Sequence, residues 1–409
     1  MQDKVDDSPE PSRPERSRPG RPRPAEIFST LKAFVIGSAV AFVLLNLVVL
    51  PWAGDGPDPV TARYGDDVLA TAYPDRDADE ISTLLRETWT TRHVYRPFTQ
   101  YVEGATDGTF VNVSEHGYRE TGHTLAWPPA TDKTNVFLFG GSTMFGYGVA
   151  DNETLAAALQ RQLGDDVAVY NFGQGAFYST SERILFAELL LAGHAPDLAL
   201  FFDGLNEFAI GEPIHTGRLI RLFEDRSSTL ALRLLRRLPV LKLVSDRLAR
   251  PPVESDAPVI DPAFDDDAIS GRIDRYLGNV ALIRALAEVH DVWTHFVVQP
   301  VPTHGYDLTH HPFAAWGFEV NSRSAFGYPR LLDALADLEP GVVTSLADLQ
   351  QDSEQALYVD QVHYSPEMNE MIATALVAPV RAALEGGGES GAGLTADDGT
   401  GDDVVTGTE

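Results

Sequence analysis

The sequence predicts an α/β fold: a parallel sheet covered on both faces, preceded by one membrane-spanning helix. Three observations carry this. Short apolar runs end repeatedly in glycine or polar clusters, stretches of helical spacing separate those runs, and one long uncharged stretch lies near the N-terminus.

From the start of the chain, residues 8–24 are rich in Pro, Arg and Ser, so residues 1–30 are expected to be a disordered cytoplasmic tail. Ala33 to Leu50 then runs for eighteen residues without a charge. With its edges, 31–52, it is long enough to cross a hydrocarbon core of ~30 Å. A signal sequence cut near Ala53-Gly54 is the competing reading, although its apolar core is usually shorter, about 7–15 residues. Arginines precede the span and Asp55, Asp58, Asp66 and Asp67 follow it. That asymmetry puts the N-terminus in the cytoplasm and everything after Trp52 outside.

Residues 53–130 read as a mixed extension with a helix at Asp79–Thr91 and a strand-like stretch, Phe110 to Ser114. Regular alternation starts at Asn135. Val136–Phe139 is a strand ending at Gly140-Gly141, and Glu153–Leu163 has helical spacing. Val167–Phe172 is a second strand. Ser179-x-x-Glu182 reads as a capping box opening a helix to about Ala192. Leu198–Phe202 is a third strand, followed by a helix over about Arg272–His290, a strand over Thr294–Gln299 and another at Val342-Val343. Ser365-Pro366 supplies a cap and a first-position proline for a last helix through about Leu384. The expected divisions are an extension over 53–131, a main domain over 132–385 with an insertion at 229–250, and a disordered acidic tail over 386–409.

The 409 residues hold 60 acidic and 31 basic side chains, a net charge of −29. A polyanion binder needs a basic footprint, so nucleic acid is not an expected partner. There is no cysteine, which excludes disulfides, thiolate metal sites and thiol nucleophiles. Only four basic residues are lysine. An acidic, lysine-poor surface suits work in high salt, and a genome preferring arginine gives the same composition. Arg233, Arg236, Arg237, Lys242, Arg247 and Arg250 gather in the leucine-rich stretch Thr229–Arg250. It reads as an ordinary helical insertion or as a surface attracted to anionic lipid.

In doubly wound sheets, ligand groups collect at the carboxyl ends of the strands. Gly140-Gly141-Ser142-Thr143, Asn171-Phe-Gly173-Gln-Gly175 and Gly204-Leu-Asn206-Glu207 sit there, and Asp360-Gln-Val-His363 lies just before the last helix. Each alone is weak; their order is what lifts them. The chemistry they suit is acyl transfer. A serine on a tight turn exposes its Oγ, a histidine takes its proton, and a carboxylate three residues away fixes the tautomer. Ser142 N–H, Gly175 N–H and the Asn206 amide are candidate oxyanion donors, worth ~2.7–4 kcal/mol each. His304, His310 and His311 invite a metal reading, but solvated loop histidines fit their spacing better.

These four blocks together resemble the SGNH/GDSL hydrolases over about residues 132–385. The resemblance makes Ser142 the nucleophile, His363 the general base, Asp360 its orienting partner, and Ser142, Gly175 and Asn206 the oxyanion hole. Gly141 stands where the family usually has aspartate, and Glu207 replaces another aspartate. Gly175 is preferred to Gly173 as the glycine donor. The resemblance implies a flavodoxin-like three-layer α/β/α sandwich with no metal and no organic cofactor. It implies an esterase acting on acyl esters, O-acyl glycans included. An O-acyltransferase modifying a surface polysaccharide is the alternative within the enzymes. A non-catalytic glycan-binding or assembly protein is the alternative outside them.

Overall fold

The computed structural model describes residues 24–50, 58–210, 238–240 and 266–390. They fall into two compact units: 24–50 with 238–240, and 58–210 with 266–390. The insertion 229–250, apart from 238–240, lies outside the described residues, as do 1–23 and 391–409.

The first unit is built on helix α1 (Pro24–Val49). It begins inside the segment expected to be a disordered tail through residue 30. Pro24 stands at its first position, where a missing N–H costs nothing. Leu31–Val49 has a mean hydropathy of 2.2, and only 6% of it is buried, so it is long and apolar enough to cross a membrane. Asn46 is its buried polar residue. Its Nδ2 donates to Phe42 O at 2.8 Å, and its Oδ1 accepts the Val240 N–H at 3.1 Å. Both ends of the amide are therefore satisfied within this unit.

The second unit opens with α2 (Pro59–Tyr64), α3 (Asp66–Ala72) and α4 (Ala78–Trp89). A capping box between Asp77 and Glu80 starts α4. An antiparallel hairpin follows, β1 (His93–Arg96) with β2 (Gln100–Glu103). A short pair, β3 (Thr106–Asp107) with β4 (Asn112–Val113), comes next. The main sheet uses β5 (Thr134–Gly140), β6 (Val167–Asn171), β7 (Leu198–Asp203), β8 (Trp293–Val298) and β9 (Val343–Ser345), all parallel. Their spatial order is β6-β5-β7-β8-β9, the flavodoxin-like arrangement that the resemblance implied.

Side chains along β5 alternate between two cores. Phe137 and Phe139 join one core with Phe201 and Phe296; Val136 and Leu138 join the other with Leu200 and Val297. Phe139, Phe201 and Phe296 stack across adjacent strands at 4.9 and 5.3 Å. The first core is closed by α7 (Ser179–Leu191), α9 (Asp266–Val289) and α10 (Ser324–Leu335). The second is closed by α6 (Leu155–Leu163) and α11 (Pro366–Ser390). Two short helices, α5 (Ser142–Phe145) and α8 (Leu205–Ala209), follow β5 and β7 directly.

Two local expectations are corrected. Ser179 does not cap α7: Tyr178 is the N-cap residue, with no side-chain cap, and Glu182 is buried instead. The last helix extends past Leu384 to Ser390. Ser365 does serve α11 as expected, its Oγ accepting the Met368 N–H at 3.3 Å.

A third core belongs to the extension. Val60, Tyr64, Leu69, Ile81, Leu84 and Leu85 pack with Phe145, Tyr147, Phe313 and Val359. The last four lie on loops at the carboxyl end of the sheet or on α5, so the extension is seated beside that edge.

Candidate active site

The sheet order reverses at β5, whose neighbours are β6 and β7. Crevices form at such a switch point, outside the strand ends. Ser142 follows β5 there as the first residue of α5. Asn206 follows β7 on α8. Asp360 and His363 arrive from a turn closed by the bridge between Tyr358 and Tyr364.

The three polar side chains meet in a line. Ser142 Oγ is 2.8 Å from His363 Nε2, and His363 Nδ1 is 2.6 Å from Asp360 Oδ2. Asp360 Oδ1 also accepts the N–H groups of Val362 and His363, each at 2.9 Å. Burial alone would push the Asp360 carboxyl up. The electrostatic attraction of the His363 ring and these hydrogen bonds outweigh it and hold the carboxyl below its usual range. A carboxylate only accepts, so Nδ1 carries the proton and Nε2 is free to accept from the serine hydroxyl.

The second block divides its labour in a way its spelling does not show. Asn171 Nδ2 donates to Met144 O at 2.9 Å, while its Oδ1 accepts the Gly173 N–H at 2.9 Å. This ties the end of β6 to α5. A Cβ at Gly173 would run into Phe145 N, so glycine is needed for close approach. The Gly173 N–H is thus already used. Among the described residues the Gly175 N–H has no partner, although Tyr101 Oη donates to Gly175 O at 2.7 Å. Asn206 Nδ2 donates one hydrogen to Phe177 O at 2.7 Å, and the other has no acceptor among the described residues. The amide lies against Gly141, where a Cβ would collide with it.

Glu207 faces away from this chemistry. It accepts the Ser179 N–H at 2.8 Å and pairs with Arg275 at 3.0 Å, anchoring α8 to the start of α7.

The three loop histidines do not converge. His304 sits 3.2 Å from Asp348, and His310 sits 4.0 Å from Asp307. The sequence predicts a solvated His311; instead it is buried against Tyr358, the rings stacked at 4.8 Å. Among the described residues no group of three His, Asp or Glu side chains gathers for a metal.

Sequence reasoning missed the groups that the extension brings. Trp89, Tyr101 and Glu103 all reach the site, and Arg119 lies beneath it. The Arg119 guanidinium is fully buried. It donates to Phe145 O at 2.9 Å, Val149 O at 2.6 Å and Asp151 at 3.1 Å. Burial is the main reason its pKa is lowered, with Asp151 opposing. It fixes the loop that follows α5. No local pattern announced any of these residues, because each is singled out only by its partner across space.

No family model matches the sequence, and no curated protein matches it. Solved structures do. The chain is similar to a carbohydrate acetylesterase family member from Sinorhizobium meliloti at 17% identity and a TM-score of 0.33, over 62% of this chain and 99% of that one. It is similar to the aryl esterase of M. smegmatis at 14% identity and a TM-score of 0.33, over 61% and 99%. It is also similar to a protein assigned to the G-D-S-L lipolytic family from Desulfitobacterium hafniense at 11% identity and a TM-score of 0.34, over 60% and 99%.

Proposed function

We propose that this chain is a serine-dependent acyl hydrolase of the SGNH/GDSL type, held at a membrane by α1 with its α/β unit outside the cytoplasm. The observation that carries the hydrolase reading is the unbroken line from Ser142 Oγ through His363 to Asp360, at 2.8 and 2.6 Å. Ser142 Oγ attacks the ester carbonyl as His363 Nε2 takes its proton, and Asp360 stabilises the imidazolium. The developing oxyanion is received by the N–H groups of Ser142 and Gly175 and by the free hydrogen of Asn206 Nδ2. His363 returns the proton to the departing alcohol oxygen. Water then repeats the sequence on the acyl-enzyme. The acidic outer surface suits a neutral acyl ester, such as an O-acyl glycan, better than a polyanion. Apolar α1, with arginines before it and aspartates after it, supports the anchoring and the orientation.

A fluorophosphonate probe tests the chemistry without a guess at substrate. It should label the full chain at Ser142 and leave Ser142→Ala unlabelled. Hydrolysis of p-nitrophenyl acetate should fall at least about 10³-fold in the variant. Equal hydrolysis by the two proteins would remove Ser142 from the mechanism.

A further inference from the structure

The proposed mechanism uses the two edge nitrogens of His363 and says nothing of the faces of its ring. One of those faces is covered, and an aromatic edge meets the ring beside it. Tyr147 stacks on His363 with ring centres 5.3 Å apart and planes 26° apart. Trp89, the last residue of α4, meets His363 edge-on at 5.6 Å and 79°, and meets Tyr147 at 5.0 Å and 82°.

The Tyr147 ring is itself anchored. Its Oη donates to Glu103 Oε1 at 2.6 Å. The other Glu103 oxygen accepts Thr91 Oγ1 at 2.8 Å and lies 3.4 Å from His93 Nε2. The Glu103 N–H donates to Gln174 Oε1 at 2.7 Å, so the residue is tied at both backbone and side chain. Burial works to raise the Glu103 carboxyl, but the hydrogen bonds from His93, Tyr147 and Thr91 prevail and keep it below its usual range. A negative charge therefore sits at the far end of the phenol. The same groups border the oxyanion loop: a Cβ at Gly175 would strike Tyr147 Oη and lie 2.9 Å from Glu103 Oε1.

We infer that the segment preceding the sheet supplies working parts of the catalytic centre, Glu103 and Trp89 holding the Tyr147 ring flat on His363 so that the imidazole keeps its plane and its protonated form is stabilised. This rests on the acyl-transfer reading above. Asp360 and Ser142 fix the two edges of the imidazole but do little against tilting of its plane; the aromatic pair supplies that restraint. When Nε2 takes the serine proton, the ring becomes a cation lying over an aromatic face, with Glu103 behind it. Tyr147, Trp89 and Glu103 are positioning residues, since each acts through His363.

The test compares Tyr147→Leu, Tyr147→Phe and Trp89→Leu in the full chain, with p-nitrophenyl acetate hydrolysis and fluorophosphonate labelling as readouts. For Tyr147→Leu, kcat should drop roughly tenfold while KM stays within about twofold. Tyr147→Phe keeps the face but loses the Glu103 anchor, so its kcat should fall about threefold, between the natural chain and Tyr147→Leu, and Trp89→Leu should cost several-fold in kcat. The labelling rate should follow kcat. If Tyr147→Leu fails to fold, as a thermal melt would show, the other two variants carry the test. Unchanged kcat in Trp89→Leu, a rise confined to KM, or Tyr147→Phe falling as far as Tyr147→Leu would each overturn the inference and leave Ser142 chemistry intact. A natural chain that the fluorophosphonate does not label would overturn the functional reading and this inference with it.

Discussion

A neutral imidazole can be buried at modest cost, whereas a charged one cannot. His311 is buried against Tyr358 and Phe318, and its Nδ1 accepts the Phe313 N–H at 3.1 Å. Burial is the largest cause pulling its pKa down, to about 4. The folded state holds His311 neutral, while the unfolded chain protonates it below about 6.5. Between those values the unfolded state binds the extra proton, so stability is lost as the pH falls from about 6.5 towards 4. The difference amounts to roughly 3 kcal/mol. Urea unfolding at pH 7 and at pH 4.5 measures it. His311→Phe should be weaker at pH 7, having lost an acceptor, but should lose about 2–3 kcal/mol less than the natural chain on acidification. Parallel losses in the two proteins would contradict this. The same residue shows where sequence reading stops. Asp360 and His363 are three apart, so one turn of backbone makes their contact visible in the spelling. His311 and Tyr358 are far apart in sequence, and nothing local distinguishes a buried loop histidine from a solvated one. Tyr147, Glu103 and Arg119 were hidden for the same reason.

At the scale of elements, α7 and β7 share a buried acidic contact that replaces the cap expected at Ser179. Glu182 and Asp203 are both almost wholly buried, and both carboxyls are pushed well up, first by burial and then by neighbouring negative charge. The folded state retains a proton there that the unfolded chain releases near its ordinary carboxylate range. The contribution to stability is full below that range and is lost as the pH rises through the raised values. Glu182→Gln replaces the protonated acid by a neutral group of similar shape and removes one of the two titrations. Its urea midpoint should exceed that of the natural chain at pH 8 by more than it does at pH 5. An equal offset at both pH values would show that the pair carries no extra proton. The strands of the main sheet were legible because each is a short buried run closed by a polar cluster, as in Val136–Gly140. The hairpin of β1 and β2 was not. Its Val94, Tyr95 and Phe98 stand exposed and its buried pair, Val102 and Glu103, is adjacent rather than alternating, so no apolar alternation marks it as a strand pair. Helix α10 was missed as well; it contains Pro329, whose presence argues locally for a break.

At the scale of the whole molecule, the division of the chain separates the proposed anchor from the proposed chemistry. Every residue assigned a part in acyl transfer or in positioning His363, from Trp89 to His363, belongs to the unit of 58–210 and 266–390. That unit has its own cores, and the extension within it is no appendage, since Leu84, Leu85 and Val111 close a core around Phe145, Tyr147 and Val359. The other unit offers α1, whose Phe34, Ile36, Leu44 and Leu47 stand exposed, as the proposed membrane anchor requires. A chain beginning at Pro57 should therefore stay soluble without detergent and label with fluorophosphonate at the rate of the full chain. A chain beginning at Thr134, stripped of the extension, should not fold, because the Phe145 and Tyr147 side would lie open and the carbonyls held by Arg119 would lose their donor. The full chain should sediment with membranes, and protease added to intact cells should remove the α/β unit. Full-length protein that remains in the soluble fraction would end the anchoring proposal. A membrane-bound unit that survives external protease but is cut in opened cells would reverse its orientation.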